Sequence, residues 1–251
     1  MWKRGQITIF IIIAIFLIAA IILFFVFRDS IKIGGIPKDI EPIYNDFSTC
    51  LEDSSYQGLR EIALHGGYYN VPFESSIIYF DGTIPYYYLD SRDYVPSINT
   101  IEKEIAEYIS ENLKNCFYLE EYKTQGFRIS VGDFSTSAKI NEKNTKITMI
   151  DTLAIRKEGD TELFKNIELK IDYNIKKLHE VSKKIVESYS KKPGAICLTC
   201  LEELSEDYNV NIEATPINDV SVFENNIIWF TITDKEDLSS EKLKWVFIVE
   251  Q

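Results

Sequence analysis

From Ile7 to Phe27 the chain is one apolar run that only Thr8 interrupts. At about 1.5 Å per residue these positions span roughly 31 Å as a helix, close to the hydrocarbon thickness of a bilayer. A cleaved secretory signal has a shorter apolar stretch, about 7–15 residues, ahead of a small-x-small site. Here the run ends on Phe24, Phe25, Val26 and Phe27 with no such site. The pattern predicts a single transmembrane anchor over residues 1–28 that contacts the lipid bilayer through residues 7–27. Lys3 and Arg4 precede it, whereas Arg28 and Asp29 behind it nearly cancel. The positive-inside rule then leaves the N-terminus cytoplasmic and puts the remainder outside the cell membrane.

Residues 29–39, with Gly34, Gly35 and Pro37, read as a linker. Beyond it Ile40, Ile43, Phe47, Leu51, Leu59 and Ile62 recur at helical spacing until Gly66-Gly67 supplies a stop. Short aromatic strands follow over residues 68–71, 77–80 and 84–89, with Asp81-Gly82 as a hairpin turn. Ser97 caps a second helix whose inner face is Ile98, Ile101, Ile105, Ile109 and Leu113. The period then changes to two. Residues 127–131, 136–140, 146–155 and 163–173 read as antiparallel strands with polar turns. A third helix over residues 176–189 is ended by Pro193-Gly194, and a shorter one covers residues 198–205. Strands return at 210–214, 220–223, 227–233 and 244–249. The fold class is therefore α+β: one transmembrane helix, then an extracytoplasmic domain of antiparallel strands and three or four helices. The change of period near Tyr122 suggests two subdomains, a helix-hairpin-helix unit over residues 40–121 and a sheet-plus-helix unit over residues 122–251.

Charge narrows the partners. The chain has 27 basic and 39 acidic residues, and Lys3, Arg4 and Arg28 precede the first acidic one, Asp29. The part after residue 28 therefore sets 24 basic groups against 39 acidic, a net of −15. Such a surface repels phosphate backbones, which argues against nucleic acid as a partner.

The segment Lys3-Arg4-Gly5-Gln6-Ile7-Thr8-Ile9-Phe10 resembles the class III signal of archaeal type IV pilin-like proteins. The resemblance implies cleavage after Gly5, leaving Gln6 first, ahead of a hydrophobic helix. Phe10 stands where that family commonly has glutamate, a side chain thought to serve filament assembly, so the likeness carries the anchor further than the filament. More loosely, Cys50, Gly66-Gly67-Tyr68, Pro96-Ser97 and Cys116 resemble positions in single-span, membrane-anchored archaeal proteins, which implies location and class only.

Four cysteines supply the candidate chemistry. Cys50 in the first helix and Cys116 at the end of the second either bridge the helices or stay as buried thiols; a bridge would contribute on the order of 4 kcal/mol by chain entropy. Cys197-Leu198-Thr199-Cys200 is a CxxC pair, open to a structural disulfide, thiol–disulfide exchange or a metal. Neither His65 nor His179 stands in ligand spacing to it, and no second CxxC exists, so no metal or other cofactor is expected. In Tyr86-Tyr87-Tyr88 strand alternation points one ring away from the other two, and an outward tyrosine would form a surface for an envelope protein partner. The alternative is plain strand packing. Lys176, Lys177, Lys183, Lys184, Lys191 and Lys192 give the third helix a basic face, interrupted by Glu180 and Glu187. No serine-hydrolase elbow, zinc-protease motif, phosphate loop or dinucleotide fingerprint occurs. The expectation is a non-enzymatic, membrane-anchored binding or structural protein of the cell envelope. Alternatives are a minor pilin-like filament subunit and a membrane-tethered thiol oxidoreductase using Cys197 and Cys200.

Overall fold

In a computed structural model, residues 36–79, 82–217, 226–239 and 241–250 are described. The apolar run 7–27, the signal positions Gly5 and Gln6 and the strand expected at 220–223 lie outside them. Among the described residues no helix is long and apolar enough to cross a membrane. The chain divides into residues Met1–Pro42, of which 36–42 are described, and a unit Ile43–Gln251. In the first, Pro37 turns the backbone, its carbonyl accepting the amides of Ile40 and Glu41.

The fold class is α+β. Helix α1, Glu41–Leu64, buries Ile43, Phe47, Cys50, Leu51, Leu59 and Ile62 on one stripe, as their spacing requires. It stops in a Schellman cap: the amide of Gly67 bonds to the Ile62 carbonyl at 2.7 Å and that of Gly66 to Ala63 at 3.1 Å. Residues 68–71, expected as a strand, are not one. The amides of Tyr69 and Asn70 donate instead to the Glu104 carboxylate at 2.7 and 2.8 Å, which docks this segment on helix α2, Ile98–Cys116. That helix begins at Ser97, whose hydroxyl accepts the Thr100 amide at 3.1 Å.

Strands β1 (Ser76–Tyr79), β2 (Gly82–Leu89) and β3 (Arg92–Asp93) belong to a six-stranded sheet with β10 (Val210–Ile217), β11 (Ile227–Asp234) and β12 (Lys244–Glu250). Its order is β1-β2-β12-β11-β10, with β3 also on β2. All pairs are antiparallel except β2–β12, which is parallel and shifts register by one residue between Ile248 and Val249. Because this sheet takes strands from both sides of Tyr122, the chain is not partitioned there as the change of period suggested. The short helix α3 (Leu119–Lys123) leads into two three-stranded sheets. One joins β4 (Arg128–Ser130), β7 (Leu153–Lys157) and β8 (Asp160–Phe164), the other β5 (Thr136–Ile140), β6 (Thr145–Met149) and β9 (Glu168–Ile171). The single strands expected over 146–155 and 163–173 are each broken into two. Asp151 turns aside to accept the Ser135 amide at 2.7 Å, and Asn166 takes a left-handed φ of 51°. Strand β5 runs along α2, with its Thr136 and Ile140 amides bonded to Ser110 and Glu102, so helix side chains cover a sheet edge. Helix α4, Ile175–Ser190, packs near β2, β11 and β12; helix α5, Leu198–Asp207, lies beside β10 and has no buried residue.

Gly66 fixes the junction of these layers. It has φ of +54°, and a Cβ there would stand 2.8 Å from both Pro85 Cγ and the backbone oxygen of Val246. Gly66→Ala is expected to lower unfolding free energy by about 2 kcal/mol or more, from left-handed strain plus overlap with backbone. Urea denaturation with an unchanged midpoint would remove that role.

His179 gives a second expectation. Its ring is buried and Nε2 donates to the Pro96 carbonyl at 2.7 Å. Burial lowers its pKa, the Pro96 bond opposes, Lys183 lowers and Glu180 raises, with a net depression. Below about pH 6.5 the unfolded chain therefore binds more protons than the fold, so this stabilisation is present above that pH and lost as pH falls. The Tm should drop between pH 7 and 5, and less steeply in His179→Gln; His65, also depressed by burial, keeps some slope in the variant. Equal slopes would show that His179 does not contribute.

Candidate functional site

The three tyrosines nominated as a partner surface are all buried: Tyr86, Tyr87 and Tyr88 are 9%, 0% and 7% exposed. The outward ring is not there. Tyr86 joins Ile84, Ile227, Val246 and Ile248 on one side of the sheet. Tyr87 stacks on Phe247 with centroids 4.4 Å apart, and Tyr88 meets Tyr189 of α4 edge-on. Strand β2 is covered on both faces, so alternation moves a ring between two interiors rather than from core to water. Tyr87 also carries a buried polar chain: Trp245 Nε1 donates to its hydroxyl at 3.1 Å, and that hydroxyl donates to the Gly66 carbonyl at 2.6 Å. Burial pushes this phenol well above its ordinary pKa, so it remains a donor.

The exposed apolar side chains lie elsewhere. Phe73 and Ile78 are 86% and 72% exposed, on and just before β1 at one end of the six-stranded order. Four of the six lysines of the basic face at α4 are engaged: Lys176 pairs with Glu142, Lys177 with Asp234 at 2.6 Å, Lys183 with Glu187, and Lys184 lies over the Tyr208 ring.

Two hollows gather several carboxylates each. The first, ≈ 290 Å³, is lined by Asp172, Tyr173, Asn174, Asp234, Glu236 and Asp237 among others. Its acids have structural work. Asp234 holds Lys177, and Asp237 accepts the amides of Ser239 and Leu243 at 2.9 and 2.8 Å. Burial tends to raise the Asp237 carboxyl, but these bonds and nearby Lys242 outweigh it and hold the group below its ordinary value. The second hollow, ≈ 280 Å³, lies against Cys50 and Cys116 and includes Asp46, Asp53, Glu121 and Tyr122. Tyr122 donates to Asp46, and burial together with that carboxylate raises the phenol. Among the described residues no group of three or more His, Cys, Asp or Glu is placed to hold a metal.

Both cysteine pairs are closed. Cys50–Cys116 joins α1 to the end of α2 across 66 positions with Cα atoms 5.9 Å apart. Cys197–Cys200 closes the CxxC with Cα atoms 5.2 Å apart. Cys197 is the N-cap of α5, its sulfur accepting the Cys200 amide at 3.3 Å. Helix α4 stops at Ser190 with Lys191 as its cap, and Pro193-Gly194 then turns the backbone, Gly194 having φ of +84°. The returning loop is held by Tyr189, whose hydroxyl accepts the Gly194 amide at 3.0 Å and donates to the Glu250 carbonyl at 2.7 Å. No local spacing announces that tether; the tyrosine in the last turn of an amphipathic helix reads only as core. The chain matches no protein-family model, no curated protein and no solved structure.

The two bridges differ in leverage. Chain entropy assigns about 4 kcal/mol to a loop closed across 66 positions and about 2 kcal/mol to one closed across 3. Replacing Cys50 and Cys116 together with serine should therefore shift the denaturation midpoint well beyond the double replacement of Cys197 and Cys200. Equal shifts would place equal mechanical weight on both.

Proposed function

We propose that this chain is a single-pass protein of the cell membrane, with a cytoplasmic N-terminus and its disulfide-bonded α+β unit outside. It acts by binding or by structure in the envelope. The observation that carries the reading is the closure of both cysteine pairs, one of them between two helices. Disulfides of this kind persist where the compartment is oxidising. The apolar run from Ile7 to Phe27 supplies the anchor, and the net charge of the remainder keeps it soluble and turned away from phosphate polymers.

Tethering gives such a unit its mechanism. An anchor confines it to a thin shell above the bilayer, which raises its effective concentration for neighbours in the same membrane. We place the contact with an envelope protein partner along β1, where Phe73 and Ile78 offer apolar area to solvent, and no longer at Tyr86, Tyr87 and Tyr88.

Fractionation tests the placement. Membranes washed with alkaline carbonate should retain the full chain, and protease added to intact cells should digest it while sparing a cytoplasmic marker. Release into the wash, or survival until the cells are lysed, would overturn the proposal.

A further inference from the structure

We infer that Cys197–Cys200 is an exchange-active disulfide that accepts two electrons from a protein dithiol, with Cys197 as the sulfur that carries the mixed disulfide. Four observations converge on this pair. Both cysteines are only half-buried, at the edge of a helix in which no residue is buried. The flanking Leu198 is 71% exposed, so an apolar side chain stands beside the sulfurs where a polypeptide substrate would approach. Cys197 caps α5, the first turn of which holds no acidic residue, so the partial positive charge of that terminus acts on its sulfur ahead of Glu202 and Glu203 in the next turn. Finally, Tyr189 fixes the loop to the end of the interior strand β12 through Gly194 and Glu250 independently of the S–S bond.

These features divide the roles. A thiolate at a helix N-cap accepts the amide of residue N3, here Cys200, and is stabilised relative to a free thiol. A stabilised thiolate is the better leaving group, so a mixed disulfide on Cys197 resolves forward. In the first step access rather than leaving-group stability sets the point of attack. A substrate thiolate seated against exposed Leu198 attacks the adjoining Cys197 Sγ; the S–S bond breaks, its electron pair leaves on Cys200 Sγ, and that sulfur takes a proton from solvent. In the second, the other substrate thiolate attacks the substrate sulfur of the mixed disulfide, and Cys197 leaves as thiolate. The substrate dithiol becomes a disulfide and the pair becomes a dithiol. A small, mostly apolar hollow beside the pair is lined by Tyr189, Ile196, Leu201 and Phe230 together with both cysteines.

Cys50–Cys116 is the internal control. Cys116 is exposed at the end of α2, but Cys50 is buried, so attack on Cys116 must expel a thiolate into the packed face of α1, where it is a poor leaving group.

The test uses the full chain in graded mixtures of reduced and oxidised dithiothreitol, with alkylation and peptide mass spectrometry. Cys197–Cys200 should open while Cys50–Cys116 stays closed and the far-ultraviolet circular dichroism is unchanged. In Cys200→Ser, oxidised glutathione should form a mixed disulfide on Cys197 at least tenfold faster at pH 7 than it does on Cys200 in Cys197→Ser. Alkylation of Cys197 should titrate below the free-thiol value of about 8.5. A pair that opens only when the circular dichroism is lost is structural, and the inference fails. Equal glutathione rates in the two variants, or a Cys197 titration at or above the free-thiol value, also overturn it.

Discussion

A left-handed pair of glycines at the end of the first helix sets the geometry on which the rest depends. Gly66 cannot carry a side chain without meeting the backbone of β12, and a Cβ on Gly67 would stand 2.9 Å from Ile101 of α2. The Gly66 carbonyl, left without a helical partner, is taken by Tyr87, and Tyr87 in turn accepts from Trp245. One peptide unit thus joins α1, β2 and β12 through groups that would each be expensive to bury alone. Removing water from this junction demands donors in fixed places, which ties the orientation of the helix to the register of the sheet.

Helix spacing made α1, α2 and α4 legible, because a stripe every three or four residues has one interpretation in a globular unit. Ser97 and Gly66-Gly67 marked boundaries through chemistry local to the chain. Outside residues 68–71, strand identity among the described residues was legible too, but its consequences for exposure were not. The runs at 84–89 and 245–249 lack polar alternation. That is the mark of strands covered on both faces, and the parallel β2–β12 pair is where they meet. Treating Tyr86-Tyr87-Tyr88 by period alone assumed that one face looks to water. The breaks at Asp151 and Asn166 were hidden for another reason: each depends on a turn inserted in an otherwise β-prone stretch, and strand-favouring neighbours mask it.

The site divides the same way. Cysteine spacing with helix assignment was enough to suggest both bridges, since a capped α2 and a striped α1 place Cys50 and Cys116 on packed elements. What surrounds Cys197 was not readable. The tether from Tyr189 spans five residues to Gly194 but sixty-one to Glu250, and no periodicity encodes a hydrogen bond between a helix and the end of a sheet. Likewise the lysines of α4 looked like a free basic face, whereas Asp234 and Glu142 approach from distant strands and turns to occupy two of them.

Strand β12 is made after every other described element yet sits between β2 and β11 in the six-stranded sheet. A polypeptide emerging from a ribosome or translocon in chain order therefore holds β2 and β11 apart, each with an unsatisfied edge, until residues 244–250 arrive. Closure joins segments some 160 positions apart, a long-range pairing that forms slowly. Until then the half-made sheet presents two open edges on which other nascent molecules can pair.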